Sequence, residues 1–152
     1  MPTVTIEQIQ KRQAELASLI AALSEQASPA RLITIEADEI ELQPGEHYAG
    51  AVLDADGEHQ HHLVLMAPRP EAKLAWQAAM DWAEEVGGAL PTRQEQALLY
   101  ANCKPHLQPT WHWSCQEHED DASSAWDSYF GHGGQYGDHK SFEGSAVAVR
   151  RV

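Results

Sequence analysis

The sequence predicts an α+β fold, and three observations carry that prediction. Residues 5–26 and 70–102 show helical periodicity, a hairpin signature lies between them, and beyond Pro109 short aromatic pieces alternate with polar or glycine-rich turns. At 152 residues the chain has room for one compact domain of roughly 100 residues plus an appendage. Five Trp, four Tyr and two Phe within a 43% hydrophobic composition are enough apolar material for a packed core.

The first element is a helix over residues 5–26, where Thr5 and Gln8 have capping-box spacing and neither Pro nor Gly intervenes before Pro29. Ile9, Leu16 and Leu23 recur at heptad spacing, Leu19 takes the next seam position and Arg12 interrupts it. A helix of about 33 Å with so narrow an apolar seam suits pairing with copies of itself, the alternative being a helix packed on its own domain. Ile9, Leu16, Leu19 and Leu23 are therefore the oligomerisation candidates. Past Ser28 and Pro29, apolar and acidic residues partly alternate from Leu32 to Leu42, which reads as a strand or an extended connector. Tyr48 to Leu53 and His59 to Met66 form a hairpin across Asp54–Gly57.

A helical period runs from Pro70 through Leu74, Trp76, Ala79, Trp82 and Ala83 until Gly87 and Gly88 stop it. The next helix opens at Pro91 and Thr92, with Glu95 completing a second capping box. The last third is sheet and loop. The resulting division is an oligomerising helix over 1–28, an acidic connector over 29–44 and a folded domain over 45–152.

Lys and Arg total 10 against 23 Asp and Glu, a formal net charge of −13 that repels nucleic-acid phosphates and anionic membrane surfaces alike. No apolar run approaches the roughly 20 residues of a spanning helix, and the N-terminus lacks a secretory signal, so synthesis in the cytoplasm without membrane insertion is expected. Cys103 and Cys115 form neither a disulfide framework nor a CxxC pair and are read as packing residues.

The order Ala89-Leu90-Pro91-Thr92-Arg93-Gln94-Glu95, then Trp111-His112-Trp113-Ser114, then Ala125-Trp126, then Ala148-Val149-Arg150-Arg151-Val152 resembles a C-terminal family of unknown function found in bacterial prophage proteins. That family belongs to the C-type-lectin-like superfamily, with the formylglycine-generating enzymes and the variable proteins of diversity-generating retroelements. The resemblance covers about Gly45 to Val152. It implies a lectin-like domain in which two helices flank a small twisted antiparallel sheet with long loops on one side, preceded here by the coiled-coil-like helix. It places Trp113, Trp126 and Val149 in the core, and it leaves Arg150 and Arg151 as either anchors of the last strand or plain surface charge.

Nine His invite a metal reading, His59 and His61 sharing one face of a strand, yet three or four converging ligands are not evident and surface or structural His is the better reading. The run from Glu117 to Asp121 offers oxygen ligands for calcium but lacks the triplets of calcium-dependent sugar binders in that superfamily, so a solvated acidic loop is preferred. The paired cysteines of the copper oxidases in the superfamily are not matched, and no nucleophile elbow or phosphate loop is present. Neither a catalytic residue nor a cofactor or metal ligand is assigned. What remains is a mixture of amphipathic rings and adaptable polar groups: His112, Gln116, His118, Asp127, Tyr129, His132, Gln135, Tyr136 and His139, with glycines 131, 133, 134 and 137 between them.

The expectation is a non-catalytic binding protein of a phage or prophage tail, displaying a lectin-like surface toward a protein or glycan target on an oligomeric stalk. A trimer is the first guess, and the virion tail is the implied destination. The alternative is a structural tail or assembly component that touches only its own copies or neighbouring tail proteins.

Overall fold

The computed structural model describes residues 3–26, 30–35 and 37–152; the texture change expected at Ser28 and Pro29 lies outside them. The chain divides into two compact units, Met1–Ile35 and Glu36–Val152. The first carries α1 (Ile6–Gln26). The Thr5 N–H donates to Gln8 Oε1 at 3.1 Å and the Gln8 N–H to Thr5 Oγ1 at 3.3 Å, so both halves of the capping box form. Ile9, Leu16, Leu19 and Leu23 are exposed, and so are Ile6 and Ile20, which widen the apolar stripe beyond the heptad seam.

The second unit mixes helices with two three-stranded antiparallel sheets. Its elements are β1 (His47–Leu53), β2 (His59–Leu65), α2 (Trp76–Glu85), α3 (Arg93–Cys103), β3 (Trp111–His118), β4 (Asp121–Tyr129), β5 (Gly134–His139) and β6 (Val149–Arg151). A 3₁₀ turn, Lys104–His106, follows α3. One sheet runs β1-β2-β6 and the other β3-β4-β5, which corrects the expectation of a single small sheet. The two are joined through the segment before β6, where the Trp113 N–H donates to the Ser145 carbonyl at 3.0 Å and Ser145 forms a lone bridge with His112. A single bridge does not make a shared ladder, so each sheet closes on its own hydrophobic cluster.

One cluster joins the first sheet to α3 through Val52, Leu63, Leu65, Leu99, Cys103, Phe130 and Val149. The other gathers Trp76, Ala79 and Ala83 of α2 with Leu90, Trp113, Ala125, Ala146 and Ala148. Each fully buried Leu or Phe here contributes about 1.5–3 kcal/mol of transfer free energy. The small alanines let α2 approach closely, and the Trp76 and Trp113 indole N–H groups are satisfied by the carbonyls of Ser114 and Leu74, both at 2.8 Å. α2 begins later than the period from Pro70 predicts, because the Leu74 backbone exchanges hydrogen bonds with Gly144 instead. Cys103 and Cys115 are free thiols, Cys103 within the first cluster.

The described residues of the expected connector form no helix or strand, but from residue 37 they belong to the second unit: Asp38 pairs with His62 at 2.9 Å and the Glu41 carbonyl accepts from Arg150 at 2.6 Å. Both terminal arginines are anchors. Arg150 forks onto Glu46 with two contacts of 2.9 Å, and Arg151 forks onto Glu95 at 2.8 and 2.6 Å. The hydrogen bonds from Arg150 hold the Glu46 carboxyl below its usual pKa. Trp113 and Val149 lie in the core as expected, whereas Trp126 is only half-buried. β4 turns Ala125 toward α2, so its neighbour Trp126 takes the opposite face of the sheet.

Candidate functional site

The start of α3 organises an open hollow of the second unit. Thr92 accepts from the Glu95 N–H at 3.1 Å while the Glu95 side chain accepts from the Thr92 N–H at 2.8 Å, the capping box read from the sequence. That box turns Glu95 inward to 1% exposure, where Arg151 of β6 and His61 of β2, the latter 2.8 Å away, reach the same carboxylate. The carboxylate can only accept, so His61 donates through Nε2. Burial alone raises the Glu95 pKa, but the hydrogen bonds from Arg151, the Thr92 backbone and His61 outweigh it and hold the group down to about 2.

Above this knot opens a cleft of about 890 Å³, lined by Gln60, His61, Arg93, Gln94, Gln116, Gln135 and Arg151, with Val52 and Ala97 as its apolar floor. Arg93 is held through both its backbone and its side chain. The Arg93 N–H donates to Gln116 Oε1 at 2.7 Å, its Nε donates to Gln135 Oε1 at 3.0 Å, and its carbonyl accepts from Gln135 Nε2 at 2.7 Å. The guanidinium also lies 3.6 Å from the Trp126 ring centroid, and the His118 ring stacks on the same indole at 4.6 Å. The Trp126 N–H donates to Glu119 at 2.8 Å, which lowers that carboxyl's pKa. One wall of the cleft is thus preorganised by bonds among residues of α3, β3, β4 and β5.

The nine ligand-contact residues expected from the sequence do not form one surface. Gln116, His118 and Gln135 converge on Arg93 and Trp126. Tyr129, His132 and Tyr136 form a separate aromatic group, with His132 stacked on Tyr129 at 4.7 Å and edge-on to Tyr136 at 6.1 Å. His139 bonds Ser141 at 2.6 Å beside Phe142. His112 and Asp127 are 2% and 1% exposed, which takes both off the displayed outer surface expected for them, and His112 keeps only an edge on a second hollow, beside Arg69. Strand alternation explains the division: Asp127 pairs across from Tyr136 while Ser128 pairs across from Gln135, so adjacent residues of one stretch go to opposite faces of the β3-β4-β5 sheet.

Asp127 is held protonated well into the neutral range. Burial, then a hydrogen bond to Asp138 and its charge, push its pKa up to about 8. Among the described residues no group of three or more His, Cys, Asp or Glu is placed to hold a metal ion. The acidic run is divided among local partners: Glu117 pairs with Lys140 at 2.8 Å, Glu119 with the Trp126 indole, and Asp121 with Ser123 and Ser124.

Arg93 and Glu95 stood in the sequence only as parts of a helix start, and His61 only as a metal candidate. Their convergence depends on β2, α3 and β6 meeting in space, which no local pattern encodes. No protein-family model matches the chain, and no curated protein sequence matches it.

Proposed function

We propose that the chain is a non-catalytic recognition protein of a phage or prophage tail, with a lectin-like domain that binds a glycan through the cleft at the start of α3 and an N-terminal helix that multimerises it. The observation that carries this reading is the cleft lining: Gln60, Gln94, Gln116 and Gln135 around an Arg93 already locked by two of them. A glutamine amide offers both donors and an acceptor, which matches the mixed character of sugar hydroxyls. The cations of the cleft are neutralised or fixed before any ligand arrives, which favours a polar, uncharged surface over a strongly anionic one. The titratable groups support binding over chemistry, because the Glu95 carboxylate is saturated by Thr92, His61 and Arg151 and has no free role as a base. Multiplying such a site on an oligomer raises avidity by roughly 10² to 10⁴ where geometry permits.

The test is retention of the full chain on purified envelope polysaccharide of its host bacterium, compared with Gln135→Ala and Arg93→Ala. Loss of about tenfold or more in apparent affinity, as expected for charge-assisted hydrogen bonds, supports the reading. Retention unchanged in both variants overturns it. Incorporation into particles with no retention on any envelope fraction identifies the assembly component instead.

A further inference from the structure

A second hollow, of about 410 Å³, shares no lining residue with the cleft at α3 and is walled by Arg69, Lys73, His106, Gln108, His112 and Ser145. Its volume falls in the range of small-molecule pockets. Arg69 is held there without a counter-ion. Its Nη1 donates to the carbonyls of Met66, Ala67 and Pro68 at 2.6, 3.2 and 3.0 Å, and Nη2 to the carbonyl of His106 at 3.3 Å. These dipoles orient the guanidinium but carry no net charge, and Arg69 enters none of the ion pairs among the described residues. Arg69 is an exposed residue, and the partial burial of its guanidinium lowers its pKa. A guanidinium has five N–H donors, so Nε and part of Nη2 remain free.

His112 supplies the complementary group. Its Nδ1 lies 2.9 Å from the Thr110 carbonyl, which can only accept, so Nδ1 carries the proton. Burial, with the Arg69 charge, brings the ring's pKa down to about 4, and at neutral pH Nε2 is a bare acceptor. Among the described residues no donor reaches it, and it is not one of their sealed, partnerless polar atoms, which are Gln96 Oε1, Asp127 Oδ2 and Ser128 Oγ. The Lys73 ammonium and the Ser145 hydroxyl likewise bond no described residue. Glu71 stands on the rim, exposed, and its charge disfavours a dianion more than a monoanion.

We propose that this hollow binds a small hydroxy-carboxylate of the uronic-acid type, its carboxylate on the free edge of Arg69 and the Lys73 ammonium and a neighbouring hydroxyl donating to His112 Nε2. The site is independent of the glycan reading of the first cleft, and its test does not use that cleft.

The experiment is titration of the full chain with D-glucuronate at neutral pH, followed by amide and imidazole NMR. Saturable shifts centred on Arg69, His112 and Ser145 are expected. Glucose lacks the carboxylate and acetate lacks the hydroxyls, and each should bind at least about tenfold more weakly. Arg69→Met should abolish binding. That side chain also ties the 66–69 turn to His106, so Lys73→Met, at an exposed residue without a partner, decides the case if the first variant does not fold. It should weaken binding about threefold or more with an unchanged melting curve. Absence of saturable shifts at these residues, an unaffected Lys73→Met, or equal binding of glucose, acetate or inorganic phosphate would each overturn the proposal.

Discussion

Two buried carboxyl groups set opposite pH limits on the folded state. Glu95 is depressed to about 2, so its contribution is fully present above its ordinary value of 4.5 and is lost as pH falls toward 2. Asp127 is raised to about 8 from 3.8, so its contribution is complete below 3.8 and drains away as pH rises through 8. The two slopes meet near pH 4 to 5, and from these groups alone urea midpoints should peak there, well to the acid side of neutrality. Asp127→Asn removes the ionisation while keeping the shape, and should stabilise the protein by about 2 kcal/mol at pH 8 and flatten the alkaline slope. A variant less stable than wild type at pH 8 would show that the Asp127 carboxylate is itself accommodated. Glu95 was legible in the sequence as the third residue of a capping box, but its partners His61 and Arg151 lie 34 and 56 residues away and left no local trace. Asp127 and His112 were misread because a stretch rich in polar and aromatic residues gives no sign of which strand face is covered.

At the scale of elements, the reading from sequence succeeded where the information is local. α1, the hairpin of β1 and β2, and the capped start of α3 depend on period, turn residues and caps, and all three form. The pairing of β6 with β2 and the independence of the β3-β4-β5 sheet depend on contacts across most of the unit, and periodicity has nothing to say about them. The turn between β4 and β5 is a further case, since the run of four glycines announces a loop, yet Gly134 and Gly137 fall within β5 and only Gly131 and Gly133 lie in the turn. Gly133 sits at φ +83°, and a Cβ there would lie 2.7 Å from the Tyr100 ring of α3. Gly133→Ala combines a disfavoured backbone with a clash against a packed aromatic, and should cost about 1–3 kcal/mol, read as a lower denaturant midpoint at unchanged slope. Gly87→Ala has the same sign of φ, +88°, and nothing within 4 Å, so it isolates the backbone share. Equal losses in the two variants would remove Tyr100 from the account.

For the whole molecule the governing quantities are the exposed stripe on α1 and the net charge of −13 per copy. Ile6, Ile9, Leu16, Leu19, Ile20 and Leu23 give each helix an apolar face that association would bury, while charge repulsion between copies opposes the assembly. If the stripe drives self-association, screening must help it: between about 0.01 and 0.15 M salt the Debye length falls from about 30 to about 8 Å, and repulsion between copies fades while apolar burial does not. Sedimentation at micromolar concentration should then show the oligomer strengthening with salt, the reverse of an assembly held by ion pairs. Leu16→Asp with Leu23→Asp should give a monomer at every ionic strength, because a desolvated carboxylate in the seam costs more than the few kcal/mol that two leucines contribute. A wild-type chain that stays monomeric at 0.15 M salt, or an oligomer that persists in the double variant, would take α1 out of the assembly and leave avidity without a physical basis.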